Sequence, residues 1–192
     1  MPVYPGDPVA EVKQIADIKK EGYTDHRITT GMHVGTHMDA PMHMIEGGKA
    51  LSDMPVENFF GRGYLIDARG ASVVGEELLK GNSIKKGDVV LVMTGFSEKY
   101  GRPEYYEKCP EISEEFAQKV IDLGVKVVGM DTPSPDRPPF KIHKMLLPKG
   151  ILIIENLTNL AALLSVPSFE VIAVPAKFQA DAAPVRVVAR AT

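Results

Sequence analysis

The stretch VKVVGMDTPSPDRPPFKIHKMLLPKGILIIE, residues 125–155, decides the fold class. It opens on one apolar run, VKVVGM (125–130), and closes on another, ILIIE (151–155). Neither run alternates polar with apolar residues, so each is expected to be a strand buried on both faces. Between them, TPSPDRPPF (132–140) carries four prolines in nine residues, which excludes regular structure. The amphipathic segment FKIHKMLL follows and carries His143. A loop leaving a buried strand is where α/β folds place ligand sites. Glu155 then ends the second run, and a carboxylate there wants a cation, a hydrogen-bonding partner or open solvent.

The same pattern extends in both directions. YLIDA (64–68), DVVLVM (88–93), FEVIAVPA (169–176) and VRVVARA (185–191) are further short β-branched runs, expected to be strands. The clearest helix is SEEFAQKVIDLG (113–124), with Ser113 as N-cap, Glu114 and Glu115 at the positive end of the dipole, and Gly124 just past the end. VGEELLKG (74–81) and NLTNLAALL (156–164) are weaker helix candidates. Val9, Val12, Ile15 and Ile18 recur every three residues, yet Val, Ile and Thr are dense around them, which favours a strand. Alternation of strand and helix over 192 residues predicts a single α/β domain spanning 1–192.

Composition narrows the function. Apolar residues make up 44% and charged residues 24%, enough for a real core. The net charge is −3, and the basic clusters Lys19-Lys20 and Lys85-Lys86 are too short to track phosphates, so no nucleic-acid partner is expected. No apolar run approaches the roughly 20 residues of a membrane span. The start, MPVYPGDPVAEVKQ, lacks an apolar stretch behind a basic flank, so a signal peptide is not expected. The single cysteine, Cys109, cannot form an internal disulfide and is expected to be a solvated or half-buried thiol rather than a nucleophile. These features predict a soluble, cytoplasmic protein with no membrane partner.

Chemistry concentrates in HVGTHMDAPMH (33–43), which holds three of the five histidines. Divalent ions such as zinc take imidazole nitrogens and carboxylate oxygens that the backbone brings within about 2 Å of one point. On a helix His33 and His37 would share a face while Asp39 pointed away. On an extended or turned chain the odd positions share a side, Gly35 permits close approach, and Pro41 stops any helix. A strand-turn-strand arrangement is therefore expected. Taken alone, this spacing also fits hydrogen-bonded polar residues on a loop. Met32, Met38, Met42 and Met44, with Phe59 and Phe60, fit either an apolar wall beside an ion or ordinary core packing. His26 has the setting of a surface residue.

Several blocks in order, YPGDP, HVGTHMDAPMH, VMTGFSEKYG, VKVVGMDTPSPD, HKMLL and ENLTNL, resemble the cyclase family of metal-dependent hydrolases, which includes bacterial kynurenine formamidase and isatin hydrolase. The resemblance implies the family's swivelling β/α/β fold, a mixed sheet packed by helices. It implies that His33, His37, Asp39, His143 and Glu155 are metal ligands and that His43 is the acid/base beside them. Five ligands exceed the three plus water usual for one catalytic zinc, so the resemblance implies a second ion with Asp39 bridging. Some members instead use one manganese or zinc on the His-His-Asp part alone. The implied reaction is hydrolysis of an amide-type bond, as in N-formylkynurenine or a related arylformamide, by a water that the ion activates. The alternatives are another cyclic amide or lactone such as isatin, or a non-catalytic metal or small-molecule binder on the same scaffold. A homo-oligomer, dimer or tetramer, is implied too. Thr36 and Asp136 are candidates to hold the metal-binding imidazoles, with Asp131, Asp7 and Asn156 as lesser ones.

Two differences from the family stand out. Relatives usually begin with an Asp-Leu-Ser/Thr strand upstream of the YPGDP block, so here either a short edge element is missing or the start lies inside the gene. Near the end, Ala182 and Ala183 stand where relatives carry Gly and Ser, between Asp181 and Pro184. The chain also has no Trp to form an aromatic wall.

Overall fold

A computed structural model describes residues 1–192. In chain order the strands are β1 (Glu11–Ala16), β2 (Asp25–Thr29), β3 (His37–Asp39), β4 (Phe60–Asp67), β5 (Val73–Val74) and β6 (Val89–Met93). They continue with β7 (Glu111–Ile112), β8 (Val127–Met130), β9 (Leu152–Glu155), β10 (Phe169–Ile172), β11 (Ala182–Pro184) and β12 (Val188–Ala191). The helices are α1 (Ile18–Glu21), α2 (Pro103–Glu107), α3 (Glu114–Leu123) and α4 (Lys141–Leu146).

Eight strands form one sheet in the order β11-β3-β9-β8-β6-β4-β10-β12. The inner four, β9-β8-β6-β4, run parallel, while β3, β11, β10 and β12 pair antiparallel at the flanks. The mixed α/β architecture expected from the sequence is thus observed. The apolar runs of β6, β8 and β9 are buried on both faces because the sheet has a core on each side. Along β6, Val90 and Val92 join the side covered by α3 and α4, whereas Val89, Leu91 and Met93 join the other.

Helix α3 forms as its ends dictate. Ser113 accepts a hydrogen bond from the Phe116 amide, and Gly124 closes the helix at φ 70°. Its buried stripe, Phe116, Ala117 and Val120, packs on the sheet, and burying the Phe alone contributes about 2–3 kcal/mol. The expected helices over 74–81 and 156–164 are only single turns of 3-10 helix, Glu76–Leu79 and Leu160–Leu163. In the second case the backbone explains the correction, since Asn156 and Asn159 both take positive φ, 56° and 60°, which breaks a right-handed helix. The run FEVIAVPA is a strand only to Ile172, and VRVVARA only from Val188, with Pro175 and Val185 meeting in an isolated bridge. The ambiguous N-terminal segment is a strand, β1, followed by the short α1. Cys109 is buried rather than solvated, and burial pushes its thiol pKa up, which agrees with an inert role.

No helix is long and apolar enough to cross a membrane.

Candidate metal centre

Strand β3 is the seat of the centre. Met38 packs into the core on the far face of the sheet, so His37 and Asp39, one residue to either side, face α4. That corrects one option for the methionines: Met38 and Phe59 pack the opposite core rather than wall the ion. On neighbouring β9, Glu155 is the register partner of His37, and Ile154 points with Met38 to the far core. Both ligand strands therefore offer polar groups to one side at the carboxyl end of β9, the end where open α/β sheets bind ligands.

The proline-rich loop brings the next group. Its Asp136 accepts from the Ile142 amide at 2.5 Å, which anchors the start of α4, and from His143 Nδ1 at 2.6 Å. This points His143 Nε2 towards Asp39 and Glu155. His33 arrives by a turn rather than a strand, because β3 is only three residues long and Gly35 sits at φ 69°. His43 follows in the 3-10 turn Pro41–His43, its ring centroid 4.1 Å from that of His33. All five expected ligands and the expected acid/base thus converge.

Hydrogen bonds fix which nitrogen of each ring faces inward. His33 donates from Nε2 to Asp181 Oδ2 at 2.8 Å, His37 from Nδ1 to the Gly35 carbonyl at 2.8 Å, and His143 from Nδ1 to Asp136. The nitrogens left over, His33 Nδ1 and His37 Nε2, form a near-equilateral triangle with Asp39 Oδ1, with edges of 3.2, 3.1 and 3.3 Å. A tetrahedral ion with ligands at about 2.0–2.1 Å sets its donor atoms about 3.3–3.4 Å apart. Glu155 extends the cage, lying 3.2 Å from His37 Nε2 through one oxygen and 3.4 Å from His143 Nε2 through the other.

Asp39 provides the decisive test of fit. It is fully buried, and neither carboxylate oxygen has a hydrogen-bond donor. Such a group is costly unless a cation satisfies it. In the metal-free protein the imidazoles take that part. Burial alone would lower the His37 and His143 pKa values. Asp39, with Glu155, outweighs burial at His37 and raises it well above the ordinary value, while Asp136, Glu155 and Asp39 push His143 up to about 10. Burial alone would raise the Asp39 carboxyl, and the positive charge that the adjoining His37 and His33 rings carry when protonated pulls it well below the usual range. The residues fit a divalent cation, with protons as its competitors.

A measurable consequence follows. A histidine with a raised folded-state value stabilises the fold fully below its unfolded value of about 6.5 and loses that contribution as the pH climbs to the folded value. The metal-free protein is expected to lose thermal stability between a pH of about 6.5 and the His143 value of about 10, and the metal-loaded protein is not. Ion uptake at neutral pH must expel protons, roughly two per centre, visible by calorimetry in buffers of differing ionisation enthalpy. Uptake with no proton release would refute ligation by the inward nitrogens.

The profile of the Cyclase family, described as "Putative cyclase", matches residues 1–137. The chain belongs to the Cyclase family. Among relatives, an uncharacterized protein of Methanocaldococcus jannaschii is 36% identical over 188 residues, covering 97% of this chain and 91% of its own. The kynurenine formamidase of Bacillus cereus is 31% identical over 170 residues, covering 85% and 78%. A solved structure described as a potential metal-dependent hydrolase with cyclase activity is 29% identical and superposes with a TM-score of 0.76 over 97% of this chain and 92% of that one. An isatin hydrolase bound to the product analogue thioisatinate, only 20% identical, shares the fold, with a TM-score of 0.85 over 95% and 82%.

The profile match ends before His143 and Glu155, so their place in this Cyclase-family centre rests on the geometry. Of the expected supporting residues, Asp136 does hold a histidine. Thr36 does not: its hydroxyl donates to the Asn156 carbonyl at 2.7 Å and ties the start of β3 to the end of β9. Asn156 is in turn held by the buried Tyr105 hydroxyl at 2.9 Å. Asp131 braces a loop instead, accepting from the Thr94 and Gly95 amides, and Asp7 lies exposed in a turn. Asp181 is the residue that sequence reasoning missed. It is 2.8 Å from His33 and 3.4 Å from His43 Nδ1, placed by pairing of β11 with β3. Its only sequence signal was its place next to the altered Ala182-Ala183 pair.

Proposed function

We propose that this chain is a metal-dependent hydrolase of amide-type bonds, with N-formylkynurenine and related arylformamides as the leading substrate class. The observation that carries the reading is the fully buried, hydrogen-bond-free Asp39 carboxylate in a triangle with two imidazole nitrogens. His33, His37, Asp39, His143 and Glu155 would hold the cation, zinc or manganese by donor type, and the split of contacts around the two Asp39 oxygens accommodates a second ion. The ion, when bound, supplies a Lewis acid that acidifies water and polarises a carbonyl.

The protein's own groups supply the proton traffic. Burial, aided by the His33 and His143 charges and opposed by Asp39, lowers the His43 pKa, so its ring is neutral and able to accept a proton at pH 7. Asp181 faces His43 Nδ1, which leaves Nε2 to take a proton from water and return it to the leaving nitrogen. Asp136 and Asp181 keep the His143 and His33 rings turned inward. The 31% identical Bacillus cereus relative, named kynurenine formamidase, supports the arylformamide choice.

One feature favours keeping a second substrate class, cyclic amides such as isatin or lactones. Ala182 is the register partner of Asp39 and puts a methyl group on the site's side of the sheet, at the position where the family resemblance implies Gly. Ala183, at the Ser position, packs into the far core and leaves the pocket untouched. The test is turnover of N-formylkynurenine, formanilides, isatin and lactones before chelation, after it, and after re-addition of zinc or manganese. Arylformamide hydrolysis that is lost and restored is the expected result, whereas activity indifferent to chelation would defeat the proposal.

A further inference from the structure

Asp181 and the outward nitrogens of His33 and His43 form a further set of donors on the solvent side of the cage. Asp181 Oδ2 is 2.8 Å from His33 Nε2 and 3.4 Å from His43 Nδ1, and ligand atoms of the three residues lie within 4.8 Å of one another. The side chains of His33, His43 and Asp181 are 26%, 24% and 39% exposed, whereas His37 and Asp39 within the cage are buried. The set is also held in place. The Asp181 carbonyl accepts from the Ala40 amide at 2.8 Å, and the His33 and His43 rings lie with centroids 4.1 Å apart.

His33 takes part in both sets through opposite nitrogens. Its Nδ1 belongs to the buried triangle with His37 and Asp39, and its Nε2 reaches Asp181. Two imidazoles and a carboxylate are donors that suit zinc and other borderline ions. We propose that Asp181, His43 and His33 form an outer metal site, which takes a surplus divalent ion and thereby blocks the proton transfer assigned to His43. The inference rests on the metal-binding reading of the centre and is independent of the choice of substrate.

The chemistry of His43 explains the block. A neutral imidazole carries one proton. With that proton on Nδ1, facing Asp181, the Nε2 atom is free to accept another from water. An outer ion takes Nδ1, so the ring's own proton moves to Nε2 and no accepting nitrogen remains. His33 adds a third donor only by releasing its Nε2 proton to water, and repulsion from an ion already inside opposes the second charge. Both costs make the outer site weaker than the buried one, so it fills only when metal is in excess.

Equilibrium dialysis of the full chain against zinc from about 0.1 to 100 µM, read by elemental analysis, counts the ions. Wild type should take up one ion beyond those of the cage, and more weakly, with hydrolysis falling as that ion binds. Asp181→Asn keeps an oxygen to accept from His33 but loses the charge. It should bind the surplus ion at least about 10-fold more weakly while keeping the ions of the cage. His143→Ala removes a donor from the cage alone and should retain the surplus ion. A wild type with no surplus ion, an Asp181→Asn variant that binds it as tightly as wild type, or its loss in His143→Ala would overturn the outer site. A surplus ion that binds without slowing hydrolysis would overturn the block. Should no amide be hydrolysed at all, the substrate reading fails, and the ion count still decides the outer site.

Discussion

Asp39→Asn should empty the centre while leaving the fold intact. The amide matches the carboxylate in size, so the packing of β3 between β11 and β9 is preserved. It removes the one charge to which both metal-facing parts of the site converge: Oδ1 faces His33 and His37, and Oδ2 faces His143 at 3.8 Å. It also sets an N–H donor where a cation would sit. Elemental analysis should find metal content reduced to a small fraction of wild type. Loss of Lewis-acid assistance worth several kcal/mol should lower kcat/KM by about 10³-fold or more. A variant that keeps its metal at wild-type affinity would show that the buried carboxylate is satisfied in another way. Asp39 is the sharpest probe because it alone among the buried side chains has polar atoms with no hydrogen bond.

Much of this centre was legible because the sequence encodes it locally. His37 and Asp39 sit two apart, so any extended chain turns them to one side. Glu155 ends a run that is apolar without alternation, which required a strand covered on both faces, and the two cores on either side of β9 satisfy that requirement. The proline-rich loop was readable as irregular, and its irregularity is what lets Asp136 fold back on both the α4 amide and His143. What escaped was non-local. Asp181 lies 148 positions from His33, and only the pairing of β11 with β3 brings them together. Tyr105 likewise reaches Asn156 across 51 positions. The helices expected over 74–81 and 156–164 failed for a different reason. Their composition allowed a helix, but in the second segment Asn156 and Asn159 take left-handed conformations that a right-handed helix does not admit. Those conformations belong to the tertiary structure, and local propensity does not register them.

His43→Ala separates an enzyme from a binder on the same scaffold. His43 stands beside the cage rather than in its closest triangle: its Nδ1 approaches Asp181 at 3.4 Å, a longer contact than the 2.8 Å hydrogen bond from His33 to the same carboxylate. It is also partly open to solvent, whereas His37 and His143 are buried. The proposed function gives this ring the proton and not the ion, although its ligand atom also lies within 4.8 Å of those of Asp39 and His143. Metal content in His43→Ala should therefore stay near the wild-type value while kcat falls by about 10²–10⁴-fold, the usual cost of losing a positioned acid/base. Since burial holds the ring's pKa below its ordinary value, wild-type activity should decline as the pH drops through the acid side of neutrality, where the ring gains a proton and can no longer accept one. The alanine variant should lose that limb of the profile along with most of its rate. Retention of full turnover would strip His43 of its role, and loss of metal together with turnover would move it into the ligand set.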